Sequence, residues 1–334
     1  QYHLAGNLLR ARQRQVTHLL RLPGFAVIAI FLAVANRVAE MDAVNGADGQ
    51  QGDLEIKLHH PFNDHATGTG AATRAAQAQA GSVDLVVCCG GDGTLNEVVN
   101  GAAGFDNAAV TCIPIGTGND FLKNFGPDAA KFTDAENLWD GEVHPLDLID
   151  CNGRQCLTIA CSGIDARVAE SVHELGDSPL LSGRGSYLAA VAVNFLFRGI
   201  GQHWRVTLDD EVIEDDFALV SMCNGRYYGG GSTPVPEARM DDGVLHTVLV
   251  KNISRMKFAG LFSAYSAGRY RSLPPEVIRV VTAKNVRIQS EDDIVTCLDG
   301  ETIHSRDVRL TLSEKRLNFF GPKGCDPNYG AGPK

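Results

Sequence analysis

No apolar run in the 334-residue chain is longer than the 11 residues from Phe25 to Ala35. A helix that spans a bilayer needs roughly 20, so no transmembrane anchor is expected. The nine Cys are odd in number and contain no CxxC pair. That excludes zinc fingers, thioredoxin-like redox sites and a fully paired disulfide framework, and it fits reduced thiols in a cytoplasmic protein. Basic residues are the minority, 30 Lys and Arg against 40 Asp and Glu, for a net charge of −10. Such a surface repels a polyphosphate backbone, so nucleic acid is not expected as a partner. There is no internal repeat and no long low-complexity tract.

What is present is ordinary globular composition, 44% hydrophobic and 21% charged, enriched in glycine with 36 residues. The length predicts two domains. The arginines Arg10, Arg12, Arg14 and Arg21 before the apolar run give it the outline of a signal peptide. The basic region is too long for one, and the Ile, Val and Phe content fits a first buried strand leading to a helix near Ala35 to Met41.

From Gly24 to about Asp147, apolar runs alternate with helical patterns, the βαβ rhythm of a doubly wound α/β domain. Asp84 to Cys89 reads as a strand, followed by a glycine turn and a helix that stops at Gly101. Val110 to Ile115 is a second strand with a second glycine turn and a helix over Asp120 to Asn124. After Asp147 come short strands with polar turns: Gln155 to Ala160, His203 to Leu208, Phe217 to Cys223, Val244 to Val250, Val286 to Gln289, Ile294 to Leu298 and Val308 to Leu312. That spacing predicts an antiparallel β-sandwich, interrupted by helices over Ala166 to Leu175 and Tyr187 to Phe197. The expected division is a nucleotide-binding α/β domain over 1–146, a β-sandwich over 147–320 and a loose tail over 321–334.

Two glycine turns carry the chemistry. Cys89-Gly-Gly-Asp-Gly-Thr-Leu-Asn-Glu97 lies between a strand and a helix, where glycines let backbone N–H groups approach a phosphate at the positive end of the helix. It lacks the Lys-Ser/Thr of a Walker A loop and does not fit GxGxxG. Asp92 within it makes sense if Mg²⁺ sits between a carboxylate and the nucleotide. Gly116-Thr-Gly-Asn-Asp120 repeats the logic with the Thr117 hydroxyl, the Asn119 amide and a carboxylate. Either turn alone could be a tight connection with a capping Asn or Asp. Two at consecutive strand ends point to a ligand, which open α/β sheets bind there.

Gly90-Gly-Asp-Gly-Thr-Leu-Asn-Glu-Val-Val-Asn-Gly101, Pro114-Ile-Gly-Thr-Gly-Asn-Asp-Phe121, Asn224-Gly-Arg-Tyr-Tyr-Gly-Gly-Gly231, Asp241-Asp-Gly-Val-Leu245 and Leu298-Asp-Gly-Glu301 occur in that order. In this the chain resembles the diacylglycerol-kinase catalytic-domain family, in particular its bacterial lipid kinases, over about Asp64 to Phe320. NAD kinases share Gly-Gly-Asp-Gly but not the Leu-Asn-Glu extension. The resemblance implies a two-domain fold with the active site in the cleft between the domains, and transfer of the γ-phosphoryl of ATP to a lipid hydroxyl with Mg²⁺. Diacylglycerol is the default acceptor; phosphatidylglycerol, sphingoid bases and ceramide share the signature.

Carried over residue by residue, the resemblance puts Gly90, Gly91, Asp92, Gly93, Thr94, Leu95, Asn96, Thr117 and Asn119 at the nucleotide, with His60 where many members place a Thr. It makes Glu301 the proton acceptor, although Asp299-Gly300 alone reads as a hairpin turn whose next Glu could face solvent. Asp242 matches the side-chain ligand of a Mg²⁺, with the main-chain carbonyls of Arg239 and Val244, and Asp147 matches an aspartate linked to that ion through water. The family's Asn-Pro-x-Ser-Gly turn after the first strand is missing from Ala26 to Asn36, which keeps a non-catalytic nucleotide or lipid sensor as the alternative. A lipid substrate implies peripheral membrane contact, and a homodimer stays open.

Overall fold

The computed structural model describes residues 27–31, 57–59, 85–116, 118–176 and 201–332, with 27–31, 57–59 and 172–176 as backbone only. The chain divides into two compact units, each drawn from three stretches. The first comprises Gln1–Gly116, Ala130–His144 and Asn318–Cys325, and the second Thr117–Ala129, Pro145–Leu317 and Asp326–Lys334.

In the first unit the apolar run Phe25 to Ala35 supplies a strand, β1 (Val27–Phe31). It pairs in parallel with β2 (Lys57–His59) and with β3 (Leu85–Gly90). β3 reads Leu-Val-Val-Cys-Cys-Gly and is buried up to its last residue, as a parallel strand covered on both faces must be. β4 (Ala109–Pro114) pairs in parallel with β3 over its whole length. The sheet continues with β15 (Leu317–Gly321) and β5 (Glu142–Leu146), in the order β2-β1-β3-β4-β15-β5. β3 and β4 both end at the glycine turns singled out above. The helix expected near Ala35 to Met41 lies outside the described residues.

The second unit is antiparallel: β6 (Ile149–Cys151), β7 (Arg154–Cys156), β8 (Ile159–Gly163), β9 (Gln202–Leu208), β10 (Glu211–Cys223), β11 (His246–Lys251), β12 (Ile278–Thr282), β13 (Asn285–Leu298) and β14 (Glu301–Leu312). β10 and β13 each pair with β9 through their first half and with β8 through their second, which closes a ring β9-β10-β8-β13 and makes two layers. Trp204, Phe217, Val220, Met222, Ile288 and Leu298 belong to one core cluster of these strands. Leu219 and Cys223, alternating with Val220 and Met222 along β10, join a second cluster with the helix Arg255–Ser266.

Several element boundaries differ from expectation. Gln155 to Ala160 is not one strand, because the N–H groups of Leu157 and Thr158 turn away to the Asp299 carboxylate and split it into β7 and β8. Val286 to Gln289 and Ile294 to Leu298 are one strand whose register shifts across the polar Ser290-Glu-Asp-Asp293. The helix over Asp120 to Asn124 is a 3-10 segment, Phe121–Thr133, broken at Gly126 with φ +59 just before Pro127. Ala166 to Leu175 falls within the helix Ile164–Gly176, and Tyr187 to Phe197 lies outside the described residues. The tail is no loose end: Cys325 and Asn328 are buried, and Asn328 Oδ1 accepts the Met240 N–H at 2.8 Å.

Candidate active site

The first glycine turn is set by β3 and the helix Asp92–Ala102. Gly91 caps that helix with no side-chain cap bond, so its first-turn amides keep their positive end for a ligand. Gly90 has to be glycine: a Cβ there would stand 2.4 Å from Thr94 Cβ. Its carbonyl accepts from Ile115 N at 3.0 Å and Gly116 N at 3.3 Å, which ties the end of β4 to the end of β3. Gly90 to Asn96 are thus gathered in one turn, with Asp92, Gly93 and Thr94 half-buried. The Leu95 side chain is buried in the core, and its N–H closes the helix onto Gly91 O at 3.0 Å. Asn96 is buried and its Oδ1 lies 3.2 Å from the Asn100 amide. His60 and Thr117 lie outside the described residues.

In the second unit Asn119 adopts φ +48, a left-handed conformation that Asn tolerates. The neighbouring Asp120 staples a loop of three glycines. Its Oδ2 accepts the Gly230 N–H at 2.7 Å and its Oδ1 pairs with Lys123, while Gly229, Gly230 and Gly231 all have positive φ. Tyr228, just before that loop, donates its hydroxyl to Asp165 and lies 3.0 Å from the Tyr265 hydroxyl. Desolvation pushes the Asp165 carboxyl above its ordinary pKa, with the Tyr228 bond acting against it.

Glu301 opens β14, one residue beyond the turn Asp299-Gly300, both of whose residues have positive φ, +49 and +106. This is a tight two-residue hairpin, as the Asp-Gly pair predicts. The Asp299 carboxylate accepts three backbone amides across the unit, Leu157 N at 2.6 Å, Thr158 N at 2.9 Å and Ile159 N at 3.2 Å. Glu301 is half-buried on a hairpin that is fixed rather than free.

Asp147 is nearly buried, with its Oδ2 accepting Gly243 N–H at 2.7 Å and its Oδ1 paired with Arg316 at 2.9 Å. Asp242 Oδ1 accepts the Val244 N–H at 3.0 Å, and Arg239 turns to Asp241. The structure therefore brings Asp147 beside the Asp242-Gly243-Val244 turn. Both Asp147 oxygens are already engaged, and among the described residues no three His, Cys, Asp or Glu side chains converge as a metal site. The donor set around Asp242 does not by itself make a cation cage.

Two residues outside the expected set join these parts. Buried Asn224 donates to the carbonyls of Asp147 and Leu157, each at 2.7 Å, and so links the Asp147 corner to the segment that holds Asp299. Asn224 heads the segment Asn224-Gly-Arg-Tyr-Tyr-Gly-Gly-Gly231, and its position before a glycine is the one signal for it in the sequence. Nothing near Asp299 in sequence marks its partners, which lie 140 to 142 residues away.

The chain thus combines a parallel α/β unit with a glycine turn at a helix N-terminus and an antiparallel unit with an anchored Asp-Gly hairpin, the two-unit architecture of a kinase of the kind matched below. Residues 49–151 match the model of the diacylglycerol kinase catalytic domain, and residues 158–320 that of the YegS C-terminal NAD kinase beta sandwich-like domain. A curated relative from Stenotrophomonas maltophilia, named "Probable lipid kinase YegS-like", is 28% identical over 293 residues, 85% of this chain and 92% of its own. One of the same name from Pseudomonas aeruginosa is 29% identical over 74% of this chain and 80% of its own. A crystal structure described as a "putative diacylglycerol kinase" from Bacillus anthracis superposes with a TM-score of 0.63 at 25% identity, covering 80% of this chain and 86% of that one. The chain belongs to the diacylglycerol kinase catalytic-domain family, in its YegS-like lipid kinase branch. It is a lipid kinase, and membership implies ATP as donor. Among the described residues no helix is long and apolar enough to cross a membrane.

Proposed function

We propose that this lipid kinase phosphorylates diacylglycerol, giving phosphatidate, and takes its ATP as the Mg²⁺ complex. The observation that carries the reading is the Leu298-Asp-Gly-Glu301 hairpin, whose turn is locked by three amides on Asp299 so that the next residue is a positioned carboxylate. Glu301 takes the proton of the acceptor hydroxyl as its oxygen bonds to the γ-phosphorus, and ADP leaves with the electrons of the broken P–O bond. The Gly90 to Asn96 turn holds the donor phosphates through main-chain amides and the helix N-terminus. Mg²⁺ bound with the nucleotide would neutralise phosphate charge, and Asp92, the carboxylate within that turn, would hold it. A lipid acceptor places the protein peripherally at a membrane surface.

The test is labelled phosphoryl transfer from ATP with Mg²⁺ onto mixed micelles of diacylglycerol, phosphatidylglycerol, sphingosine and ceramide. Wild type is expected to label diacylglycerol, and Glu301→Gln to be slower by about 10²-fold or more with ATP binding retained. Equal labelling by the variant would remove Glu301 as base, labelling of another lipid alone would replace the acceptor, and no label with ATP bound would favour a sensor.

A further inference from the structure

The helix Arg255–Ser266 has an outward face that does not suit water. The stretch Val244 to Pro275 contains no Asp or Glu but holds Lys251, Arg255, Lys257, Arg269 and Arg271, in a chain of net charge −10. The inward side of the helix packs Phe258, Leu261 and Tyr265 over Leu219, Val250 and Ile278 of the sheet. Its outward side presents Met256, which is 82% exposed, with Ala259, Gly260 and Ser263 exposed at helical spacing and Phe262 exposed at the margin. A surface helix ordinarily turns charged or strongly polar side chains to solvent along that line. Here the charges flank it instead: Arg255 and Lys257 are exposed on either side of Met256, and exposed Arg269 follows the helix. Lys251 and Arg271 nearby are paired with Asp215 and Glu237.

The geometry points to this helix as the surface by which the protein rests on an anionic lipid bilayer, Met256 entering the headgroup boundary while Lys257 and Arg269 meet headgroup phosphates. An apolar ridge between long basic side chains is the pattern of an interfacial helix, since such side chains lay their stems along apolar surface and keep the charge at the headgroups. Charge complementarity selects the occupant. The apolar segment Tyr187 to Phe197 has no acidic residue with which to meet Lys257 or Arg269, whereas an anionic leaflet attracts each of them. The inference rests on the lipid-kinase reading, because such an enzyme meets its acceptor at a lipid surface.

Met256→Trp puts a fluorescent reporter on the ridge. With vesicles of phosphatidylcholine and phosphatidylglycerol its emission is expected to shift to shorter wavelength, to do so far less with phosphatidylcholine alone, and to return on adding salt. Lys257→Glu with Arg269→Glu is expected to weaken vesicle binding at least about tenfold. It should slow phosphorylation of vesicle-borne diacylglycerol and leave that of a dissolved short-chain diacylglycerol unchanged. No vesicle binding by wild type, or binding with a silent reporter and intact affinity in the charge-reversed variant, would overturn the inference. So would a reporter shift without vesicles accompanied by a dimer mass in sedimentation. If the dissolved acceptor is not phosphorylated while the vesicle-dependent shift persists, the docking surface stands and the acceptor assignment falls.

Discussion

Asp299 does more for the hairpin than the residue it positions. One carboxylate satisfies the N–H groups of Leu157, Thr158 and Ile159, so removing it leaves three amides short of a partner and frees the turn that carries Glu301. Asp299→Ala is expected to lower stability by about 2–4 kcal/mol in denaturant unfolding and to reduce turnover with it. Asp299→Asn, which tolerates positive φ and keeps one acceptor oxygen, is expected to lose less. At this scale the strand-to-helix glycine turn and the Asp299-Gly300 hairpin are legible in the sequence because glycines and an Asp-Gly pair are the residues such turns need. Leu95 belongs to the same motif yet is buried in the core, because a motif does not separate residues that face outward from those that pack beneath them. Asp299 and Asn224 escaped because their work is done on partners far away in the chain, which one sequence does not reveal.

Among the elements, β13 and β14 show how a strand pair manages its charges. Arg287 and Arg309 face each other directly in the register, an arrangement that repels, and Asp307 on β14 bonds to both. The Arg287 bond, helped by Arg309 and opposed by desolvation, lowers the Asp307 pKa from 3.8 to about 2. A depressed folded-state value means that the pair's contribution is complete above about 3.8 and is lost as pH falls through about 2. Both partners are more than a third exposed, so that contribution is small. The Asp307 carboxyl is expected to titrate near pH 2 by NMR in wild type and clearly higher in Arg287→Met. Period-two alternation found most of these strands, and polar inserts such as Ser290 to Asp293 concealed that two of them were one. The helix Arg255–Ser266 went unread for the opposite reason: small residues on its outer face and a mid-helix Gly260 blur the contrast on which helical periodicity depends.

For the molecule as a whole, the sequence pattern changes near Asp147, and the two compact units divide between His144 and Pro145 and at two further crossings. The two further crossings were hidden, since residues 117–129 and 318–325 are too short to change local composition. The last residues act as structure: Asn328 accepts from Met240 N–H, and the Tyr329 ring lies where any Gly126 side chain would be. Ending the chain at Cys325 is expected to strip both contacts and lower the melting temperature of the second unit by at least about 4 °C. Faster amide exchange at Met240 is expected with it.

β15 lies inside the first sheet, with β4 on one side and β5 on the other. That position has a consequence for synthesis. A ribosome releasing the chain from its N-terminus delivers β1 to β5 long before Leu317–Gly321, so the first unit waits with a gap in its sheet until nearly all of the second unit has been made. The first sheet is therefore completed last, although most of it is encoded first.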